Sequence, residues 1–135
     1  MITAIDSSVL WSLIKQEPGY QAWENLLQAA AADGQLVVCP IVFAELAPST
    51  ADAAGLMSFL GRLQIRYEPI LPAASWLAGD AFRQYRLAGG PRQHLVPDFL
   101  IAAHALMQAD RLAATDRGYL RKWFPTLSLL QPKPA

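Results

Sequence analysis

Four of the eleven acidic residues, Asp6, Glu45, Asp98 and Asp116, stand where apolar segments end, begin or are interrupted. Asp6 follows Ile2 to Ile5 and Asp116 follows Leu112 to Thr115, both short apolar runs. Asp98 opens the run Phe99-Leu100-Ile101-Ala102-Ala103, and Glu45 divides Ile41-Val42-Phe43-Ala44 from Leu46-Ala47 in a helix that reads as buried. A desolvated lone carboxylate is costly or stays protonated, so Glu45 asks for a cation or a donor cluster beside it. The other acids, Glu17, Glu24, Asp33, Asp52, Glu68, Asp80 and Asp110, lie in polar surroundings or at element ends and need no function.

Taken singly, each of the four also has a plainer role. Glu45 fits a narrow polar stripe, and Asp6, Asp98 and Asp116 each fit a helix N-cap. Their joint arrangement is what points to chemistry. Two acids at strand ends, one at a helix start and one inside an apolar helix can be gathered at the carboxyl edge of one sheet. Carboxylates crowded there repel one another unless a divalent cation neutralises them. An all-oxygen donor set favours Mg²⁺ or Mn²⁺ over Zn²⁺. A nucleophilic side chain has no support, because there is no Gly-x-Ser-x-Gly turn and Cys39 has no evident base.

The elements that must carry these acids alternate. Ile2 to Ile5 is a strand, Asp6-Ser7-Ser8 a cap, and Val9 to Ile14 an amphipathic helix. Gln21 to Ala32 is rich in helix formers and stops at Asp33-Gly34. Leu36 to Cys39 is apolar without alternation, as expected of a strand covered on both faces. Pro40 opens a helix over Ile41 to Ala47, a second helical stretch runs to about Leu63, and Gln64 to Tyr67 is a short strand. Ala73 to Ala88 has helical spacing, Gly89-Gly90-Pro91 breaks it, and Arg92 to Val96 reads as a loop. A helix over Phe99 to Gln108, a strand over Leu112 to Thr115, a helix over Arg117 to Trp123 and a strand over Leu127 to Leu130 follow. Such alternation predicts a single α/β domain over residues 1–135, a three-layer α/β/α sandwich around a short, mainly parallel sheet. Ligands in such folds bind beyond the carboxyl ends of the strands, where strand order reverses.

With 135 residues, 53% hydrophobic and 16% charged, the chain has enough apolar surface for one sizeable core, which argues against disorder. No apolar run reaches the roughly 18 residues that span a bilayer, and Met1 to Asp6 has no secretory pattern. Cys39 sits in an apolar stretch as a small buried thiol. A cytoplasmic location without membrane attachment is the expectation. The formal charge is zero, yet residues 1–80 carry −5 and residues 81–135 carry +5. A basic rim around an acidic site is compatible with a nucleic-acid substrate.

At this point the chain resembles a known family: the PIN domain, and within it the VapC-like ribonuclease toxins of prokaryotic toxin–antitoxin modules. Ile5-Asp6-Ser7-Ser8-Val9-Leu10, Ile41-Val42-Phe43-Ala44-Glu45-Leu46, Pro97 to Ala105 and Ala114-Thr115-Asp116-Arg117-Gly118-Tyr119 carry the resemblance, in order along nearly the whole chain. Phe124-Pro125 through Gln131-Pro132 looks like the closing strand of these toxins. Each piece alone is weak, and the combination is specific.

The resemblance implies that Asp6, Glu45, Asp98 and Asp116 form an acidic Mg²⁺ or Mn²⁺ site, with Ser8 and Thr115 as nearby hydroxyls. The family often has one more residue between the Thr and the last Asp, a departure that bears on Thr115 more than on Asp116. It further implies an endoribonuclease that cleaves RNA with metal-activated water, a homodimer, and a cognate VapB-like antitoxin. Arg83, Arg86, Arg92, Arg117 and Arg121 are candidates for the RNA backbone, with surface solvation as the alternative for each. Trp11, Leu13 and Ile14, with the apolar residues of Leu56 to Leu63, would supply a groove for the antitoxin. His104 reads as a packing or hydrogen-bonding residue. Aromatics such as Trp23 and Trp76 at helical spacing read as core or interface.

Two rival readings stand beside this one. A receiver-like signalling domain also binds Mg²⁺ in an acidic pocket, but it needs a paired acid after the first strand and an Asp after a middle strand. Asp6 stands alone, and Val37-Val38-Cys39 is followed by Pro40. A non-catalytic scaffold of the same fold is the other.

Overall fold

The computed structural model describes residues 1–91, 96–115 and 118–133. Five strands, β1 (Ile2–Ile5), β2 (Gln35–Val38), β3 (Ile65–Tyr67), β4 (Arg111–Ala113) and β5 (Leu129–Leu130), form one sheet in the order β3-β2-β1-β4-β5. Every pairing is parallel. Seven helices connect them among the described residues: α1 (Ser7–Lys15), α2 (Tyr20–Asp33), α3 (Pro40–Leu46), α4 (Ala53–Arg62), α5 (Pro72–Leu87), α6 (Val96–Gln108) and α7 (Gly118–Trp123).

Right-handed crossovers assign the layers. The sheet grows from β1 through β2 to β3 in one direction, so α1, α2 and α4 cover one face. The connection from β3 to β4 runs back across the sheet, which puts α5 and α6 on the other. This is the three-layer α/β/α arrangement expected from the alternation, with a fully parallel sheet. Val9, Leu10, Val37, Val38, Leu60, Phe99 and Leu112 are completely buried between the layers. Strands covered on both faces need no polar alternation, which is why Leu36 to Val38 is apolar throughout.

Boundaries shift where local chemistry overrides pattern. The helix expected from Val9 begins at Ser7, because Asp6 caps it directly. The strand expected over Leu112 to Thr115 ends at Ala113, so Asp116 follows three residues after it rather than one. The last strand is two residues long instead of four. Val96, expected in a loop, is the first residue of α6, while Arg92 to Leu95 lie outside the described residues.

One expectation of burial is corrected, and for Trp76 the choice between core and interface narrows to interface. Glu45 is exposed, because α3 buries only Val42 and Leu46 and turns its remaining face outward. Trp76 is 71% exposed, since the buried face of α5 is the small-residue row Ala74, Ala78 and Ala81 with Tyr85. Small residues let α5 lie close against α6, and Trp76 is on the opposite side of the helix.

Candidate functional site

Strand order reverses between β1 and β4, since β1 leads to β2 on one side while β4 flanks it on the other. Asp6 is the first residue beyond β1, and its backbone N–H donates to Ala113 O at 2.9 Å across this reversal. Its carboxylate is 3% exposed and caps α1, accepting from the Ser8 hydroxyl at 2.5 Å and from the Ser8 N–H at 3.4 Å. One residue therefore ends a strand, starts a helix and presents a carboxylate at the crevice where α/β folds bind ligands.

Glu45 reaches the same place from α3. Ser7 Oγ donates to Glu45 Oε1 at 2.9 Å, so consecutive serines at the start of α1 hold carboxylates from two different elements. Ser8 was a candidate from the sequence; Ser7 was not. The signal was the doubled small hydroxyl after Asp6, which fits both a cap and a second contact.

Asp98 stands in the first turn of α6, half-buried, where a negative charge is favoured by the helix dipole. The opposite end of α6 is fixed at the amino edge of the sheet: Ile2 N donates to Asp110 Oδ2 at 2.6 Å, and Asp110 N donates to Ile2 O at 2.8 Å. Thirteen residues of helix span about 20 Å, which carries Asp98 to the carboxyl edge. Packing of α3 against both α1 and α6 joins the three elements there.

An aromatic cluster fixes that first turn. Phe99 lies 5.5 Å from Phe82, 5.5 Å from Tyr85 and 5.7 Å from Phe124, ring to ring. Tyr85 donates its hydroxyl to Pro91 O at 2.9 Å, tying the end of α5 to the chain that leads into α6. Gly90 has a steric reason as well, since a Cβ at this position would run into the Tyr85 ring.

Asp116, Arg92 and Arg117 lie outside the described residues. Among the described residues, no three His, Cys, Asp or Glu side chains come together closely enough to hold an ion. Asp6 and Glu45 are brought together through the two serines, and Asp98 is at the same edge. Thr115 is exposed, two residues beyond β4. The donors gathered are all oxygens, a set that fits a hard divalent cation.

Among the described residues, the basic candidates Arg83, Arg86 and Arg121 are exposed. Arg83 pairs with Asp80 at 2.8 Å, Arg86 donates to Gly90 O at 2.8 Å, and Arg121 is on α7, lining a shallow recess with Leu127 and Leu129.

Two further titratable groups are buried, one of them, Cys39, directly after β2 and within the field of Glu45. His104 is 1% exposed, with Nε2 2.8 Å from Glu68 Oε1; Glu68 also takes contacts from Gln108 and Arg66. Glu68, assigned to solvent from the sequence, is thus the partner of a core histidine, and nothing in the linear pattern pairs residues so far apart. Burial holds the imidazole below its ordinary value of 6.5, while the bond to Glu68 pulls it up. Cys39 is buried, and loss of solvent pushes its thiol up from 9.0.

A family model described as the PIN domain matches residues 3–123. The chain belongs to the PIN domain family. This PIN domain has strand order 3-2-1-4-5, whereas receiver domains have 2-1-3-4-5, so the receiver reading is excluded. Among curated proteins none matches the sequence. Solved structures of the same fold include VapBC2 from Rickettsia felis bound to a DNA fragment from its promoter, with TM-score 0.74 and 20% identity over 98% of this chain and 100% of that one. VapBC-1 from nontypeable Haemophilus influenzae gives TM-score 0.69 and 19% identity over 96% and 97%. FitAcB from Neisseria gonorrhoeae gives 0.61 and 16% over 98% of each chain. Among the described residues, no helix is long and apolar enough to cross a membrane.

Proposed function

We propose that this PIN domain is a Mg²⁺- or Mn²⁺-dependent endoribonuclease and the toxin of a toxin–antitoxin module. The observation that carries the reading is the pair of carboxylates, Asp6 and Glu45, held by adjacent serines at the reversal of strand order in a PIN fold. Asp6, Asp98 and Asp116 are the proposed ligands, with Glu45 as a ligand or as the group that orients the attacking water. When bound, the cation neutralises the crowded carboxylates and activates water for attack on a phosphodiester. Asp6 offers a carboxylate already oriented by Ser8, so little side-chain freedom remains to be lost on binding. Glu45 would accept a proton from the attacking water as the water oxygen bonds to phosphorus and the bond to the leaving oxygen breaks. Arg83, Arg86 and Arg121, together with Arg92 and Arg117, would hold the phosphates that flank the scissile bond.

The partner reading rests on the fold neighbours named above and on a recess of about 300 Å³ between α1, α2 and α4. Leu13, Leu27, Ala31 and Leu63 line it, and Glu24 and Arg62 supply charge. An antitoxin segment with apolar residues at helical spacing fits such a groove. A homodimer belongs to the same reading, and the exposed Trp76 and Leu87 of α5 are apolar surface that a second copy would remove from water.

The test is cleavage of a panel of structured RNAs by antitoxin-free protein with Mg²⁺, Mn²⁺ or EDTA. Cleavage that requires the metal and is lost in Asp6→Asn and Asp98→Asn supports the reading. Metal-independent cleavage, or none with a correctly folded protein across the panel, favours the scaffold.

A further inference from the structure

Ser7 occupies the first position of α1 and is only 8% exposed, yet its hydroxyl bonds to a carboxylate that is itself exposed. Glu45 is 38 residues away on a separate helix, at 2.9 Å. An exposed glutamate at the surface of a seven-residue helix ordinarily samples several rotamers. Here a buried donor holds one of its oxygens.

Successive side chains at a helix start leave the axis about 100° apart. Ser8 therefore takes the carboxylate of its own turn, Asp6, while Ser7 takes the one that arrives from α3. Both donors are neutral. A hydroxyl orients a carboxylate while leaving its charge in place. Without the Ser7 hydroxyl, this oxygen of Glu45 loses the donor that fixes it.

We infer that Ser7 is a positioning residue, which acts through Glu45 to hold the site ready for a divalent cation. The inference rests on the metal-site reading given above. Groups that orient a metal-binding carboxylate typically affect affinity about tenfold or more.

The experiment is calorimetric titration of antitoxin-free protein with Mn²⁺ alone, alongside thermal unfolding in EDTA. For Ser7→Ala, the expected result is Mn²⁺ affinity about tenfold weaker with the melting temperature in EDTA nearly unchanged. Ser7→Thr, which restores a hydroxyl, recovers most of the affinity. Ser7→Cys, with similar volume and only a weak donor, behaves as Ser7→Ala. Adding Ser7→Ala to Glu45→Gln produces no further loss, because the serine acts through that carboxylate. Wild-type affinity in both Ser7→Ala and Ser7→Cys overturns the inference and leaves the metal site standing. Lowered melting temperature in EDTA with unchanged affinity also overturns it, leaving Ser7 as a brace between α1 and α3. Failure of the wild-type chain to bind Mn²⁺ removes the metal site itself and this inference with it.

Discussion

The backbone N–H of Asp6 donates to the carbonyl of Ala113 at 2.9 Å, which fastens the residue after β1 to the end of β4 where the strand order reverses. A site built this way depends on sheet pairing, which is rigid, and on helix starts, which are capped.

Asp6→Asn separates the two roles of this residue. Asparagine caps helices about as well as aspartate, so stability in EDTA should change by less than about 1 kcal/mol. RNA cleavage and Mn²⁺ binding should both fall to background. Urea unfolding, calorimetry and a cleavage assay on one preparation check all three.

Ser8→Ala removes a hydroxyl that donates to Asp6 at 2.5 Å. A hydrogen bond to a charged acceptor is worth about 1.5–3 kcal/mol when desolvated, and part-exposure places this one at the low end. We predict a stability loss of about 1.5 kcal/mol and Mn²⁺ binding weaker by about tenfold or more, read by urea unfolding and calorimetry.

Phe99→Ala deletes the centre of the ring cluster beside Asp98. Truncation of a fully buried Phe costs about 3–5 kcal/mol, and Phe99 is fully buried. Activity should fall further than the folded fraction does, because the first turn of α6 loses its anchor. Phe99→Leu, with a smaller cavity, should restore most of both. Specific activity per folded molecule distinguishes this from simple unfolding.

His104 gives the fold a defined pH dependence. Its native pKa is lowered from 6.5 by burial, so the unfolded chain takes up the proton at higher pH than the native one. The stability it contributes is complete above 6.5, declines as pH falls from there toward the lowered native value, and then levels off. Urea midpoints on either side of pH 6.5 should show this slope, and His104→Gln should flatten it.

The acids and the alternation of elements were legible in the sequence because both are local. Asp6 follows a strand and precedes Ser7-Ser8, and Leu36 to Val38 shows no polar alternation; each needs only neighbours in the chain to be read. What joins distant residues was not legible. The bond from Ser7 to Glu45 and that from His104 to Glu68 depend on how α1, α3 and α6 pack, and spacing along the chain carries no trace of it. The exposure of Glu45 has a related reason: an apolar-looking helix buries only the face that meets another layer, and that face is set by the partner.

Arg83, Arg86 and Arg121 make a separate prediction about RNA affinity. For single strands each phosphate contact contributes about 0.7 to the slope of log affinity against log salt. Replacing each arginine with glutamine should lower the slope by about that amount while leaving Mn²⁺ binding unchanged. Filter binding of a catalytically inert Asp6→Asn background over a salt series measures it.

The proposal that the carboxylates at the carboxyl edge of this sheet hold a divalent cation can be tested on the metal alone. Anomalous diffraction from a crystal of antitoxin-free protein soaked in Mn²⁺ tests it without knowledge of the RNA target. The expected result is a peak among Asp6, Asp98 and Asp116, with Glu45 beside it and still bonded to Ser7. Carboxylates lying far apart, with no peak between them, would contradict it and leave the chain as a PIN scaffold without this chemistry.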